Sequence, residues 1–207
     1  MAAPPVSPWD VRYAEPGYAY GTAPNDFLAS VAARLPPGRV LCLAEGQGRN
    51  AVFLAERGHA AVAVDQSAVG MARARALAAA RGVAIETVVA DLAAFPIEEG
   101  AWDAVVSIFA HVPPEVRRPL HRRVAAGLRP GGALVLEAYT PAQAGRGTGG
   151  PPPGAEALMM TAEGLRGELD GLRFEILREV ERAVVEGRYH TGTGAVVQVL
   201  AFKPDPS

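Results

Sequence analysis

Val40-Leu41-Cys42-Leu43-Ala44-Glu45-Gly46-Gln47-Gly48-Arg49-Asn50 is the stretch that decides the fold. It reads as a buried strand running into a carboxylate, then into a glycine turn, then into a helix. A second strand, Ala61-Val62-Ala63-Val64-Asp65, also ends on an acid. An α/β sheet builds a nucleoside pocket in this way: glycines let the backbone approach the ligand, and the second acid accepts from ribose hydroxyls.

Outward from that stretch, strand and helix signals alternate. The first strand is expected over 39–44, and its helix over 50–57, closed by Gly58. The second strand spans 60–65. Ser67 caps a helix that reaches 81 and stops at Gly82. Residues 85–89 form a third strand ending at Ala90-Asp91-Leu92, and 102–108 form a fourth. Pro113-Pro114 opens a helix ending near Gly127, because proline suits a helix's first turn. Pro130-Gly131-Gly132 is a turn before a fifth strand over 133–138. Near-continuous apolar strands separated by helices imply a parallel sheet covered on both faces.

The two ends read differently. Trp9-Asp10-Val11-Arg12-Tyr13 and Tyr18-Ala19-Tyr20-Gly21 form an aromatic-rich lead-in without clear periodicity. Asn25 or Asp26 caps a helix through Leu35, and Pro36-Pro37-Gly38 turns the chain. After the fifth strand, residues 143–154 are low in apolar content and are expected not to pack. They read as a mobile surface loop on the ligand side, either a linker or a lid. Thr161 starts a short helix. Strands over 174–185 and 195–202 close the chain, with Arg188 to Gly194 as the hairpin connection. No repeat and no second domain is visible. The expected organisation is one unit over 1–207: an N-terminal cap segment over 1–38, a cofactor-binding core over 39–140, and a loop with an acceptor-side hairpin over 141–207.

Composition narrows the partners. The chain has 207 residues, 49% hydrophobic and 20% charged, with net charge −2. That balance gives no general attraction to nucleic acid or to an anionic membrane. No apolar run approaches the ~20 residues of a membrane span, and Met1-Ala2-Ala3-Pro4-Pro5 lacks a charged-then-apolar leader. The lone cysteine, Cys42, sits in an apolar strand and reads as a buried structural thiol, with a reducing, cytoplasmic compartment as the default. Arg117, Arg118, Arg122 and Arg123 read as a solvated helix face, His59 as a surface turn residue and His121 as solvated.

The choice of cofactor turns on charge. Gly46-Gln47-Gly48-Arg49-Asn50-Ala51 satisfies G-x-G-x-x-A, the pyrophosphate fingerprint, which keeps an NAD(P)-dependent oxidoreductase as an alternative. Glu45 would then face a pyrophosphate, and no chain remains for a separate substrate domain. S-adenosyl-L-methionine carries no phosphate, and its amino group and sulfonium suit carboxylates. Asp65 would take the ribose hydroxyls and Asp91, beside Leu92, the adenine amino group. The fourth strand would bring Ile108-Phe109-Ala110-His111 to the rim near the transferable methyl. Arg49 has two open readings, a structural partner at the helix start or a ligand for a carboxylate or anionic acceptor.

Glu45-Gly46-x-Gly48-Arg49-Asn50, with Val64-Asp65-Gln66-Ser67, Ala90-Asp91-Leu92, Phe109-Ala110-His111-Val112-Pro113-Pro114 and Leu128-Arg129-Pro130-Gly131-Gly132, resembles class I S-adenosylmethionine-dependent methyltransferases. The Gly-Arg-Asn ending and Trp9-Asp10-x-Arg12-Tyr13 resemble the branch that includes tellurite-resistance and thiopurine methyltransferases. The resemblance implies a three-layer, doubly wound, Rossmann-like α/β sheet of seven strands, mostly parallel with an antiparallel C-terminal strand. It implies a lead-in folded over the cofactor, so that Tyr13, Tyr20 and Gly21 close on the methionine end. It also matches His190, with Arg188 nearby, to a hairpin histidine linked to substrate handling.

These readings give a set of expected roles. Cofactor contacts fall to Tyr13, Tyr20, Gly21, Glu45, Gly46, Gly48, Arg49, Asn50, Asp65, Gln66, Ser67, Asp91, Leu92, Ile108 and Phe109. Catalytic roles fall to His111, His190 and Arg188, with no metal. The expected reaction moves a methyl group to a small-molecule acceptor, a thiol or a chalcogen oxyanion, and leaves S-adenosyl-L-homocysteine. A non-catalytic S-adenosylmethionine-binding protein is the further alternative. The expected form is a monomer or homodimer without nucleic-acid or membrane partners.

Overall fold

The computed structural model describes residues 7–206, so the reading of residues 1–5 as lacking a leader lies outside the described residues. Among the described residues, one sheet holds seven strands in the order β3-β2-β1-β4-β5-β7-β6. The strands are β1 Arg39–Leu43, β2 Ala60–Asp65, β3 Glu86–Val89, β4 Trp102–Ile108, β5 Leu128–Tyr139, β6 Arg173–Val185 and β7 Thr191–Phe202. β1 pairs in parallel with both β2 and β4, β2 with β3, and β4 with β5. β7 runs antiparallel to both β5 and β6, so it alone opposes the rest. The fold is the seven-stranded, three-layer, Rossmann-like arrangement expected.

Alternation along β1 shows why the sheet needs two covers. Leu41 and Leu43 face a core that includes Leu120 and Val124 of α5 (Pro114–Gly127) and Leu165 of α6 (Ala162–Glu168). Val40 and Cys42 face the opposite core, with Phe27 and Leu28 of α2 (Asp26–Val31), Leu54 of α3 (Arg49–Ala55) and Met71 of α4 (Ala68–Ala80). Consecutive apolar residues therefore serve both faces. Cys42 is fully buried, and burial pushes its thiol well up, as befits a structural side chain.

Five expectations need correction, the first being that Pro130-Gly131-Gly132, read as a turn before the fifth strand, lies inside β5, which begins at Leu128. The lead-in contains a helix, α1 (Pro8–Ala14), capped by Ser7, with Pro8 at its first position and Asp10 in its first turn. That Ser-Pro start was the available signal. The 143–154 loop does pack. The buried Gln143 side chain donates to Thr148 Oγ1 and the Gly149 carbonyl at 3.0 Å each, and accepts from the Ala195 N–H at 2.9 Å. His121 is buried, not solvated, with Nδ1 2.8 Å from Glu168, and Arg117 pairs with the same carboxylate. Burial works against the Glu168 charge, but those two donors outweigh it and bring its carboxyl to about 2. The hairpin connection is shorter than read, because β7 already begins at Thr191. No helix is long and apolar enough to cross a membrane among the described residues.

Candidate cofactor and acceptor site

A crevice of about 730 Å³ opens at the carboxyl ends of β1, β2, β3 and β4. β1 lies between β2 and β4, so the crevice sits where the winding direction reverses, the usual ligand position in open α/β sheets. Among the described residues, Ala44 (φ 49°) and Phe109 (φ 53°) are the non-glycine positions with left-handed backbone, and both line the crevice. Each costs on the order of 1–3 kcal/mol, a strain that tends to collect at ligand sites.

The β1–α3 turn is closed from within. Glu45 Oε1 accepts from the Asn50 and Ala51 N–H groups at 2.8 Å each. Gly48, the residue at the helix cap position, has no side chain to do this. The donors that would cradle a pyrophosphate are therefore already taken, by an anion. Burial raises the Glu45 carboxyl to about 7, with the two N–H groups and Arg49 opposing. Asp65 accepts from Gly46 N–H at 2.9 Å and from Ser67 N–H at 2.8 Å. Burial raises its carboxyl and those bonds restrain the rise.

Most expected cofactor residues line the crevice: Tyr13, Tyr20, Glu45, Arg49, Asn50, Asp65, Gln66, Asp91, Leu92, Ile108 and Phe109. Gly46, Gly48, Ser67 and Gly21 do not, and each has another task. A Cβ on Gly46 (φ 62°) would stand 2.6 Å from the Tyr13 hydroxyl, and one on Gly48 (φ 91°) 2.6 Å from the Ala74 Cβ. These glycines admit α1 and α4 to the turn. Ser67 caps α4 and donates to Asp10 Oδ1 at 2.5 Å. Gly21 packs beside Gly187.

The expected catalytic trio separates. His111 lines the crevice, but both its nitrogens are engaged: Nδ1 lies 3.1 Å from the Phe109 carbonyl, and Nε2 accepts from Tyr139 N–H at 3.0 Å. Burial, then the His190 ring, depress it to about 3. It ties the end of β4 to β5 and has no free nitrogen for a proton. Arg188 is outside the crevice. It pairs with Glu15 at 3.0 Å and donates to the Pro16 carbonyl at 3.1 Å, fastening the lead-in to the β6–β7 turn. His190 is buried and lines the crevice beside Tyr20 (ring centroids 4.7 Å) and Phe109 (4.6 Å).

An ion network, weakly signalled in the sequence, lies behind His190. Glu137 of β5 accepts from Arg182 Nη2, Asn25 Nδ2 (2.8 Å) and Gln198 Nε2 (2.7 Å). Glu186 accepts from Arg49 Nη2 (2.5 Å), Arg182 Nη2 (2.8 Å) and Asn25 Nδ2 (2.9 Å). Burial opposes the Glu186 charge, and the neighbouring His190, Arg49 and Arg182 bring its carboxyl to about 2 all the same. Gln47, between the glycines, accepts from Ala19 N–H at 2.6 Å and holds the lead-in down. Alternating charge at 182 and 186 was a weak signal for this network, and Glu137 in an apolar strand was a stronger one.

Comparison with known proteins agrees with this geometry. Residues 40–132, a little under half of the chain, match the family described as a methyltransferase domain. The chain is 27% identical over 146 residues to the 2-heptyl-1-hydroxyquinolin-4(1H)-one methyltransferase of Mycobacteroides abscessus, covering 69% of this chain and 64% of that one. The chain thus spans less than two thirds of that relative's length. Its fold matches the solved structure described as conversion of a disulfide bond into a thioacetal group during echinomycin biosynthesis, with TM-score 0.73 and 24% identity, over 96% of this chain and 92% of that one. It also matches TehB from Haemophilus influenzae, with TM-score 0.70 and 20% identity, over 86% and 61% of the two chains. At these identities the structural likenesses speak to the fold. Over residues 40–132 the sequence is similar to the methyltransferase-domain family, and the fold around it is the one its solved neighbours share.

Proposed function

We propose that the protein is an S-adenosyl-L-methionine-dependent methyltransferase acting on a small nucleophile, a thiol or a chalcogen oxyanion. The observation that carries this reading is the β1–α3 turn. Its helix-start N–H groups are capped by Glu45, which disfavours a pyrophosphate, while Glu45, Asp65 and Asp91 line one crevice. That set disfavours the NAD(P) alternative and suits a neutral adenosine bearing a cationic end.

The residues present fit the cofactor. Asp65 is held by two N–H groups with lone pairs left for ribose hydroxyls. Asp91 and the buried Leu92 suit the adenine edge and face. Glu45 makes both its backbone bonds through Oε1, which leaves Oε2 for an ammonium. Arg49 Nη1 is buried and without a partner, which suits the amino-acid carboxylate. Bound there, the cofactor supplies a methyl group already activated by its sulfonium. The chain's own part is to align the acceptor, close the lead-in over the crevice and exclude water, and positioning of this kind is worth about 7–11 kcal/mol at best.

Transfer of label from methyl-labelled donor to a panel of thiols and chalcogen oxyanions tests the reading. Labelled product is expected. A protein that binds S-adenosyl-L-homocysteine but labels no acceptor would instead be the non-catalytic binder.

A further inference from the structure

We infer that Glu186 is the positioning residue of an acceptor subsite built on His190, and that this subsite takes a nucleophile still carrying its proton, such as a thiol, rather than an oxyanion. The inference rests on the methyl transfer proposed above.

Three observations carry it. His190 Nδ1 is sealed in the protein with no hydrogen-bond partner, 3.9 Å from Glu186 Oε2. A sealed, unpaired nitrogen next to an ionised carboxylate is expected to carry the hydrogen and turn it to that oxygen. Nε2 is then the bare nitrogen, and it belongs to a ring that lines the crevice. His111 offers no competing base, since backbone groups hold both its nitrogens.

The charges facing His190 decide the acceptor class. Glu186 lies on its own turn, Arg49 comes from α3 and Arg182 from β6. Tyr20, Tyr139 and His111 face it as neutral rings. Arg49 and Arg182 are matched by two buried carboxylates, Glu186 and Glu137. Among these groups no guanidinium is left unmatched for an oxyanion, and Arg12, the other cation on the crevice wall, is engaged by the Tyr20 hydroxyl at 2.9 Å and the Trp9 and Tyr189 rings. Burial lowers His190 itself, with Glu186 opposing, so the ring is neutral and able to accept a proton.

The step balances. As the acceptor's lone pair forms the bond to the methyl carbon, its proton passes to His190 Nε2. The electron pair of the breaking carbon–sulfur bond goes to the sulfonium donor's sulfur, which becomes a neutral thioether. His190 ends as an imidazolium beside the Glu186 carboxylate.

The test combines a spectrum with a rate profile. In the wild-type protein, 15N shifts should show His190 as the Nδ1–H tautomer, and the Nε2–H tautomer would overturn the inference without any variant having to fold. Against a thiol, kcat/KM should fall on the acid side as His190 protonates. In Glu186→Gln that limb should move about one pH unit lower, since the carboxylate no longer favours the imidazolium. The plateau should drop about tenfold, and because Glu186 also holds Arg49 the KM for S-adenosyl-L-methionine should rise with it, so the position of the limb is the deciding readout. His190→Gln should lose on the order of 100-fold in kcat. An unmoved limb in Glu186→Gln, or tellurite and selenite outpacing every thiol, would overturn the inference while leaving methyl transfer intact. No labelled product from any acceptor overturns methyl transfer itself, and this acceptor class with it.

Discussion

The cofactor half and the acceptor half of this crevice are built by opposite means. At the tips of β1 and β2, side chains bond to backbone close by: Glu45 reaches Asn50 and Ala51, five and six residues on, and Asp65 reaches Ser67, two residues on. On the acceptor side, side chains bond to side chains across the fold. Asn25 meets Glu186 over 161 residues, Arg49 meets Glu186 over 137, and Tyr189 meets Glu15 over 174. The first half is mostly short-range, with Asp65 to Gly46, 19 residues back, as the bond that joins the two strand tips. The second exists only once the fold has closed, which lets acceptor chemistry vary while the cofactor cradle stays fixed.

The largest effect should come from breaking the distant network. Glu137→Ala leaves the buried Asn25 and Gln198 and the half-buried Arg182 without that carboxylate, and denaturant unfolding should show a loss of about 3–5 kcal/mol. A loss under about 1 kcal/mol would mean the network is incidental. Gly48→Ala comes next. It forces a Cβ to 2.6 Å from Ala74 at a left-handed residue, so stability should fall by about 2–3 kcal/mol while the folded fraction still binds cofactor normally. Weakened affinity in the folded fraction would return Gly48 to the ligand.

Glu45 distinguishes the halves by pH. Its folded carboxyl, at about 7, lies above the unfolded value of 4.5. In the ligand-free protein its stabilising contribution is therefore full below 4.5 and lost as pH rises through about 7. Cofactor affinity should run the other way, rising as the carboxylate forms to meet a cationic end. Calorimetry across neutral pH should show this slope in wild type, a flat profile in Glu45→Gln, and about tenfold weaker binding for the variant above pH 7. The smallest effect is expected from Tyr189→Phe, which removes a partly exposed bond to Glu15 between lead-in and hairpin. The KM for the cofactor should change by less than about threefold.

What the sequence revealed follows the same division. The limits of β1, β2 and β4, the caps at Ser67 and Thr161, and the acids at 45, 65 and 91 all announce themselves within a few residues. The glycines announced themselves too, but for a different reason than expected, because Gly46 and Gly48 answer to Tyr13 and Ala74, whose approach depends on the tertiary fold. His111 stood at the right strand end, yet the hydrogen bond that occupies its Nε2 comes from Tyr139 and depends on β5 lying alongside. Arg188 was near His190 in sequence but turns toward Glu15. Glu137 shows only as an acid in an apolar strand, and Arg182 with Glu186 only as an i, i+4 charge pair, since their other partners come from distant segments.

One titration tests the central claim, that acids at successive strand tips hold an adenosine with a cationic end. S-adenosyl-L-homocysteine and NAD+ are titrated calorimetrically into the wild type and Asp65→Ala. The account predicts that the thioether nucleoside binds and NAD+ does not, and that Asp65→Ala weakens binding on the order of 100-fold, the worth of charge-assisted bonds to ribose. NAD+ binding in place of the nucleoside, or an Asp65→Ala protein with undiminished affinity, would contradict it.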